Sequence, residues 1–121
     1  MTTAIDTAKM TSDVAANVAA MLTDDVRAAR ELASIVADDG HVVHVGATAV
    51  VLVFGKPGVL LQVAVESAVR AAGLSGHWSK DFGARTFVFD LDVSWSYAAE
   101  VFLAEELTRR GWPASVFHKA V

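Results

Sequence analysis

The residues able to do chemistry fall into a few short stretches. The first is the loop Gly55-Lys56-Pro57-Gly58, which separates the apolar run Val50-Val51-Leu52-Val53-Phe54 from a helical pattern beginning near Val59. A proline-glycine turn that opens a helix exposes backbone N–H groups at the positive end of the helix dipole, a natural seat for a carboxylate. Gly55, Lys56, Pro57, Gly58 and Val59 are therefore the candidate ligand-binding residues. The plainer alternative is that Pro57 and Gly58 only start a helix. The second stretch holds Asp90 and Asp92, two apart at a strand end. Carboxylates on one strand face can bind a divalent cation or work as an acid/base pair, although solvated acids ending a strand is the favoured reading. His41 and His44 are three apart, so in a strand they point to opposite faces and cannot chelate one metal together. His77, with Trp78 and Lys80, and His118, with Lys119, fall on expected edge strands, where polar groups deter unwanted pairing. Ser12, Ser34, Ser67 and Ser94 have no nucleophile-elbow context, and no phosphate-cradling Gly-Lys-Ser/Thr loop occurs. No catalytic residue, metal site or cofactor is expected.

The elements that must position these residues can be read from periodicity. Residues 1–11 are small, polar and unpatterned and read as a flexible tail. Between 12 and 39, Val14, Val18, Met21, Leu22, Val26, Ala29, Leu32, Ile35 and Val36 recur at spacings of three and four, which predicts an amphipathic helix. Thr23-Asp24-Asp25 could cap a fresh start and break it, and Gly40 ends it. His41-Val42-Val43-His44-Val45 reads as strand, either separate from or continuous with a second strand over residues 48–54. The run 49–54 has no polar side, so both faces of that strand should be covered. Pro57 suits a first helical position; the helix runs to Ala72 and Gly73 stops it. Its only polar stripe is Gln62, Glu66 and Arg70, so it needs more than one neighbour. Residues 75–82 predict an edge strand, 83–84 a turn and 85–92 the next strand. Ser94 can cap a helix over 95–110, closed by Gly111 and Pro113, before a last strand over 114–118.

The second half echoes the first. Thr48 and Thr86 open strands and Gly73 and Gly111 end helices, both pairs separated by 38 positions (86 − 48 and 111 − 73). Strand-helix-strand twice over, joined by a hairpin near Gly83, predicts an α+β ferredoxin-like βαββαβ two-layer sandwich with an added N-terminal amphipathic helix and an optional extra strand. Residues 12–121 then form a single domain. The N-terminal helix or a partner subunit must roof the sheet face opposite the paired helices.

Phe54-Gly55-Lys56-Pro57-Gly58-Val59-Leu60-Leu61, then Val65, Val69, Ala72-Gly73-Leu74 and Gly83-Ala84-Arg85-Thr86-Phe87-Val88-Phe89, together resemble the ACT regulatory domain over about residues 50–117. The resemblance implies a non-catalytic domain that pairs with copies of itself and binds an amino acid near the loop. Gly55 stands where that family usually carries an acidic or amide side chain for the ligand's amino group. Phe89-Asp90-Leu91-Asp92 is also similar to the nucleophile motif of haloacid-dehalogenase phosphatases, but Ser94 matches the required hydroxyl by position alone, and those enzymes use a much longer α/β domain.

Composition narrows the partners. With 54% hydrophobic and 20% charged residues, against roughly 45–50% and about 25% in typical domains, the chain has more apolar surface than a small monomer readily buries, which predicts a homo-oligomer. A charge of −4 without a Lys/Arg run disfavours nucleic acid. An RNA-recognition-type domain shares the topology, but Phe87, Phe89 and Leu91 should lie beneath the helices, leaving Asp90 and Asp92 to repel phosphate. There is no cysteine and no apolar run near the ~20 residues that span a bilayer, so no membrane partner is expected and cytoplasm is the default location. Candidate interface residues are Val14, Val18 and Met21 on the first helix, Val50 and Leu52 on the central strand, and Trp78, Trp95 and Trp112, since aromatics with a polar handle favour interfaces. Trp95 and Trp112 also bracket the last helix and would staple its ends. Three functions follow: a ligand-sensing regulatory domain, an assembly component with no small ligand, and, less favoured, a single-stranded nucleic-acid binder.

Overall fold

The computed structural model describes residues 10–38, 47–80, 85–92 and 95–119. Most of the expected tail, the expected strand 41–45 and Ser94 lie outside them. The elements are α1 (Ser12–Asp38), β1 (Ala47–Val53), α2 (Val59–Ala71), β2 (Gly76–Ser79), β3 (Thr86–Phe89), α3 (Tyr97–Arg109) and β4 (Ala114–Lys119). The chain is an α+β fold with a four-stranded sheet ordered β2-β3-β1-β4, every pairing antiparallel.

Helix α1 is preceded by Thr11, whose Oγ1 accepts from the Val14 N–H at 3.3 Å, and Met10 packs against the core. The last two residues of the expected tail are thus tied down. The expected break at 23–25 is absent, because the side chains that would cap a new start are engaged elsewhere. Thr23 donates to the Ala19 carbonyl one turn back at 2.6 Å. Asp25 accepts from Trp112 Nε1 at 2.7 Å and from Arg110 Nη1 at 3.1 Å.

Helices α2 and α3 have matching lengths and limits, offset by 38 positions at both ends (97 − 59 and 109 − 71). Each closes in the same way: Gly73, at φ +85°, donates to Arg70 O and Leu74 to Val69 O, while Gly111, at φ +99°, donates to Thr108 O and Trp112 to Leu107 O. These are Schellman closures with an apolar residue after each glycine. Their starts lie later than the sequence predicts. Pro57 stays outside α2, which is N-capped by Gly58. Helix α3 is capped by Ser96, whose hydroxyl accepts from Ala99 N at 3.1 Å, because Trp95 N donates to Asp92 O at 3.1 Å in the preceding turn.

Strand register sorts the sheet into two faces. Val50, Leu52, Trp78, Phe87 and Phe89 face the helices, and Ala49, Val51, Val53, His77, Thr86, Val88, Ser115 and Phe117 face away. Phe87 and Phe89 lie beneath the helices as alternation predicts, with rings 5.4 Å apart edge to face. The strand echo, however, slips by one: Thr48 faces the helices, bonded to Glu100 at 3.2 Å, whereas Thr86 faces away. A one-residue shift exchanges strand faces, so the 38-residue repeat holds for the helices and not for the strands.

Helix α1 corrects another expectation. It packs on α2 and α3, and its Leu22, Val26, Ala29 and Ala33 join one continuous core with Val50, Leu52, Leu61, Val65, Phe87 and Leu103. It therefore thickens the helical layer and does not roof the opposite sheet face. On that face Val51, Thr86 and Val88 are buried, while Val53 and Phe117 are exposed.

Candidate functional site

The strand-helix loop is built by Gly55, whose φ of +83° turns the chain out of β1 in a conformation that favours glycine. Gly58 then caps α2 without a side-chain hydrogen bond, and the first turn carries no acidic residue. The opening N–H groups of an α-helix have no intrahelical acceptor, so this end presents uncapped donors. Gln62 Nε2 folds back onto the Pro57 carbonyl at 2.9 Å, and its Oε1 accepts from Arg85 Nη1 at 3.5 Å. That bond draws the Arg85 guanidinium toward the start of α2. Trp78, whose ring lies 6.4 Å from that of Phe54 just before the loop, has an indole N–H shielded from solvent with no hydrogen-bond partner. Lys56, Arg85 and the helix end share one electrostatic sign, which suits an anion. Arg85 and Trp78 were not assigned to this loop from sequence, because they reach it only through the β1–β3 and β2–β3 pairings.

The predicted interface residues divide. Val18, Val50, Leu52 and Trp112 belong to the chain's own core, and Trp78 and Trp95 are half-buried against it; burial within the chain removes the first four from any surface patch. Val14 (45% exposed) and Met21 (60%) remain on the surface of α1 with Ile35. The apolar residues around the loop were not singled out as a surface: Val59 is 74% exposed and Val63 53%, with Leu60 next to Val59 and Val53 at the end of β1 also exposed. Their signal was the nearly all-apolar circumference of α2, two sides of which are covered by α1 and the sheet.

At the other end of α2 is a polar cleft of about 500 Å³. Arg30, Arg70, Asp90, Asp92 and Trp95 line it together with Gly73-Leu74-Ser75. Both aspartates come after β3 has ended and both are exposed. Asp90 N donates to Ser75 O at 2.9 Å, and its Oδ1 lies 2.8 Å from His77 Nδ1.

A separate ionic cluster ties α3 to α1. Buried Glu106 accepts from Arg109 and from Arg110 Nε at 2.9 Å, and Arg110 reaches Asp25. The hydrogen bond from Arg109 holds the Glu106 carboxyl below its ordinary pKa, against the opposing effect of burial. This cluster is an internal clamp. Among the described residues no group of three or more His, Cys, Asp or Glu could hold a metal, and no helix is long and apolar enough to cross a membrane. No family model, curated protein or solved structure matches this chain.

Proposed function

We propose that this chain is a non-catalytic regulatory or assembly domain of ferredoxin-like topology, ACT-like in its strand-helix loop. It pairs with copies of itself and takes a small carboxylate or amino acid at residues 55–59. The observation that carries this reading is the adjacency of an uncapped helix start to exposed apolar residues: Gly58 offers no side-chain cap, and Val59, Leu60 and Val63 follow it on the surface. A ligand bound there would sit at the rim of the pairing surface, so each would influence the other by linkage. The strand order β2-β3-β1-β4 with antiparallel neighbours is what a split βαβ duplication produces.

The test is a thermal titration with amino acids and other small carboxylates on the native chain and on Val59→Glu. A ligand that binds only the folded state raises the melting temperature. Glutamate in the first helical turn itself complements the dipole, adding about 0.3–1 kcal/mol, while repelling an anion. The expected result is a ligand-induced shift in the native chain that is lost in the variant. An equal shift in both proteins, or none in the native chain, would falsify the loop as the seat. A pure assembly component is the second reading, favoured by the same apolar residues, and it predicts self-association with no ligand response. Base stacking on the sheet gains no support, since Phe87 and Phe89 point under the helices.

A further inference from the structure

We propose that the cleft at the C-terminal end of α2 binds a small zwitterion, its anionic group on Arg30 and Arg70 and its cationic group at Asp90, with its apolar part against Leu74 and Trp95. This site is independent of the loop, which lies at the opposite end of the helix. Charges of both signs from separate segments line one cavity: Arg30 from α1, Arg70 from α2, and Asp90 from the stretch after β3. No ion pair joins Arg30 or Arg70 to Asp90 across it, and the guanidinium of Arg70 has no hydrogen-bond or ion-pair partner among the described residues. Opposite charges that face one cavity without closing on each other leave room for a molecule that carries both.

Two of these groups are held in place. Arg30 Nη1 donates to the Ala72 carbonyl at 3.1 Å and lies against Gly73, where an added Cβ would collide with it. The glycine that closes α2 thus also leaves room for the guanidinium. Asp90 is oriented by His77 on Oδ1 and by its own N–H on Ser75, leaving its second oxygen to accept. Guanidinium and carboxylate groups fixed beforehand lose less entropy on binding. A simple anion meets the carboxylates and a simple cation meets the arginines; only a dipolar ligand satisfies both ends. The volume, about 500 Å³, suits a small molecule.

The test follows the Trp95 indole N–H signal of the full chain by NMR during titration with phenylalanine, with N-acetylphenylalanine, which keeps only the anion, and with phenylalaninamide, which keeps only the cation. The expected result is saturable binding of phenylalanine, weakened about tenfold or more in Arg70→Gln and in Asp90→Asn by loss of a charge-assisted hydrogen bond, and little response to either blocked form. Both side chains are exposed, so both variants should fold, which the dispersion of the same spectra checks. The proposal is overturned by absence of any saturable shift, by N-acetylphenylalanine binding as well as phenylalanine, or by binding that survives both substitutions. Shifts confined to the amides of residues 58–62 would also overturn it, while leaving the loop reading intact.

Discussion

Asp25 holds a position that no local pattern announces: it accepts from the Trp112 indole and from Arg110, fastening α1 to the corner where α3 turns into β4. Replacing it with alanine leaves a buried indole N–H unsatisfied and should destabilise the fold by about 1–3 kcal/mol, measurable by urea denaturation. Glu106 predicts a pH dependence. Its folded pKa lies below the ordinary 4.5, first through its hydrogen bond with Arg109. A depressed carboxylate pKa gives stability that is fully present above the unfolded value and lost as pH falls through the folded one. Melting of the native chain between pH 7 and 3 should therefore fall more steeply below about pH 4.5 than that of Glu106→Gln; parallel curves would remove Glu106 from the account. These polar partners were opaque in the sequence because Asp25 and Trp112 are 87 positions apart and each suits an ordinary local role, a cap or an end staple.

At the scale of elements, the twin closures of α2 and α3 provide a matched pair of substitutions. Alanine at Gly111 meets no atom within 4 Å and pays only for its left-handed backbone, about 1–2 kcal/mol. Alanine at Gly73 has the same backbone cost and also collides with the Arg30 guanidinium. Gly73→Ala should accordingly lower the midpoint of denaturation more than Gly111→Ala; the reverse order would mean that Arg30 is not seated on Gly73. Both helix stops were legible, since glycine after an apolar helix has few other uses. Helix starts were less so: Pro57 and Ser94 are acceptable openers by residue type, but Gly58 and Ser96 take the role once local turn bonds fix the loops. The strand slip between Thr48 and Thr86 was hidden for a related reason, because a repeat in sequence says nothing of which face each strand turns inward.

For the whole molecule, the sequence indicated an excess of apolar surface but not its place. The long α1 covers the helical layer, so the surplus emerges on the flank of α1, at Val53 and Phe117 on the sheet, and around the start of α2. The candidate loop was legible because all its backbone is contiguous. The polar cleft was not, since its charges come from three segments that meet only after folding. The account depends on the exposed start of α2 being a contact surface between copies, and the molar mass in solution tests this most directly. Light scattering across a concentration series should give the native chain a defined multiple of 12.8 kDa, and Val59→Glu with Val63→Glu should return it to the monomer with unchanged helical circular dichroism. A native chain that stays at 12.8 kDa at every concentration, or a doubly substituted one that associates as before, would contradict it.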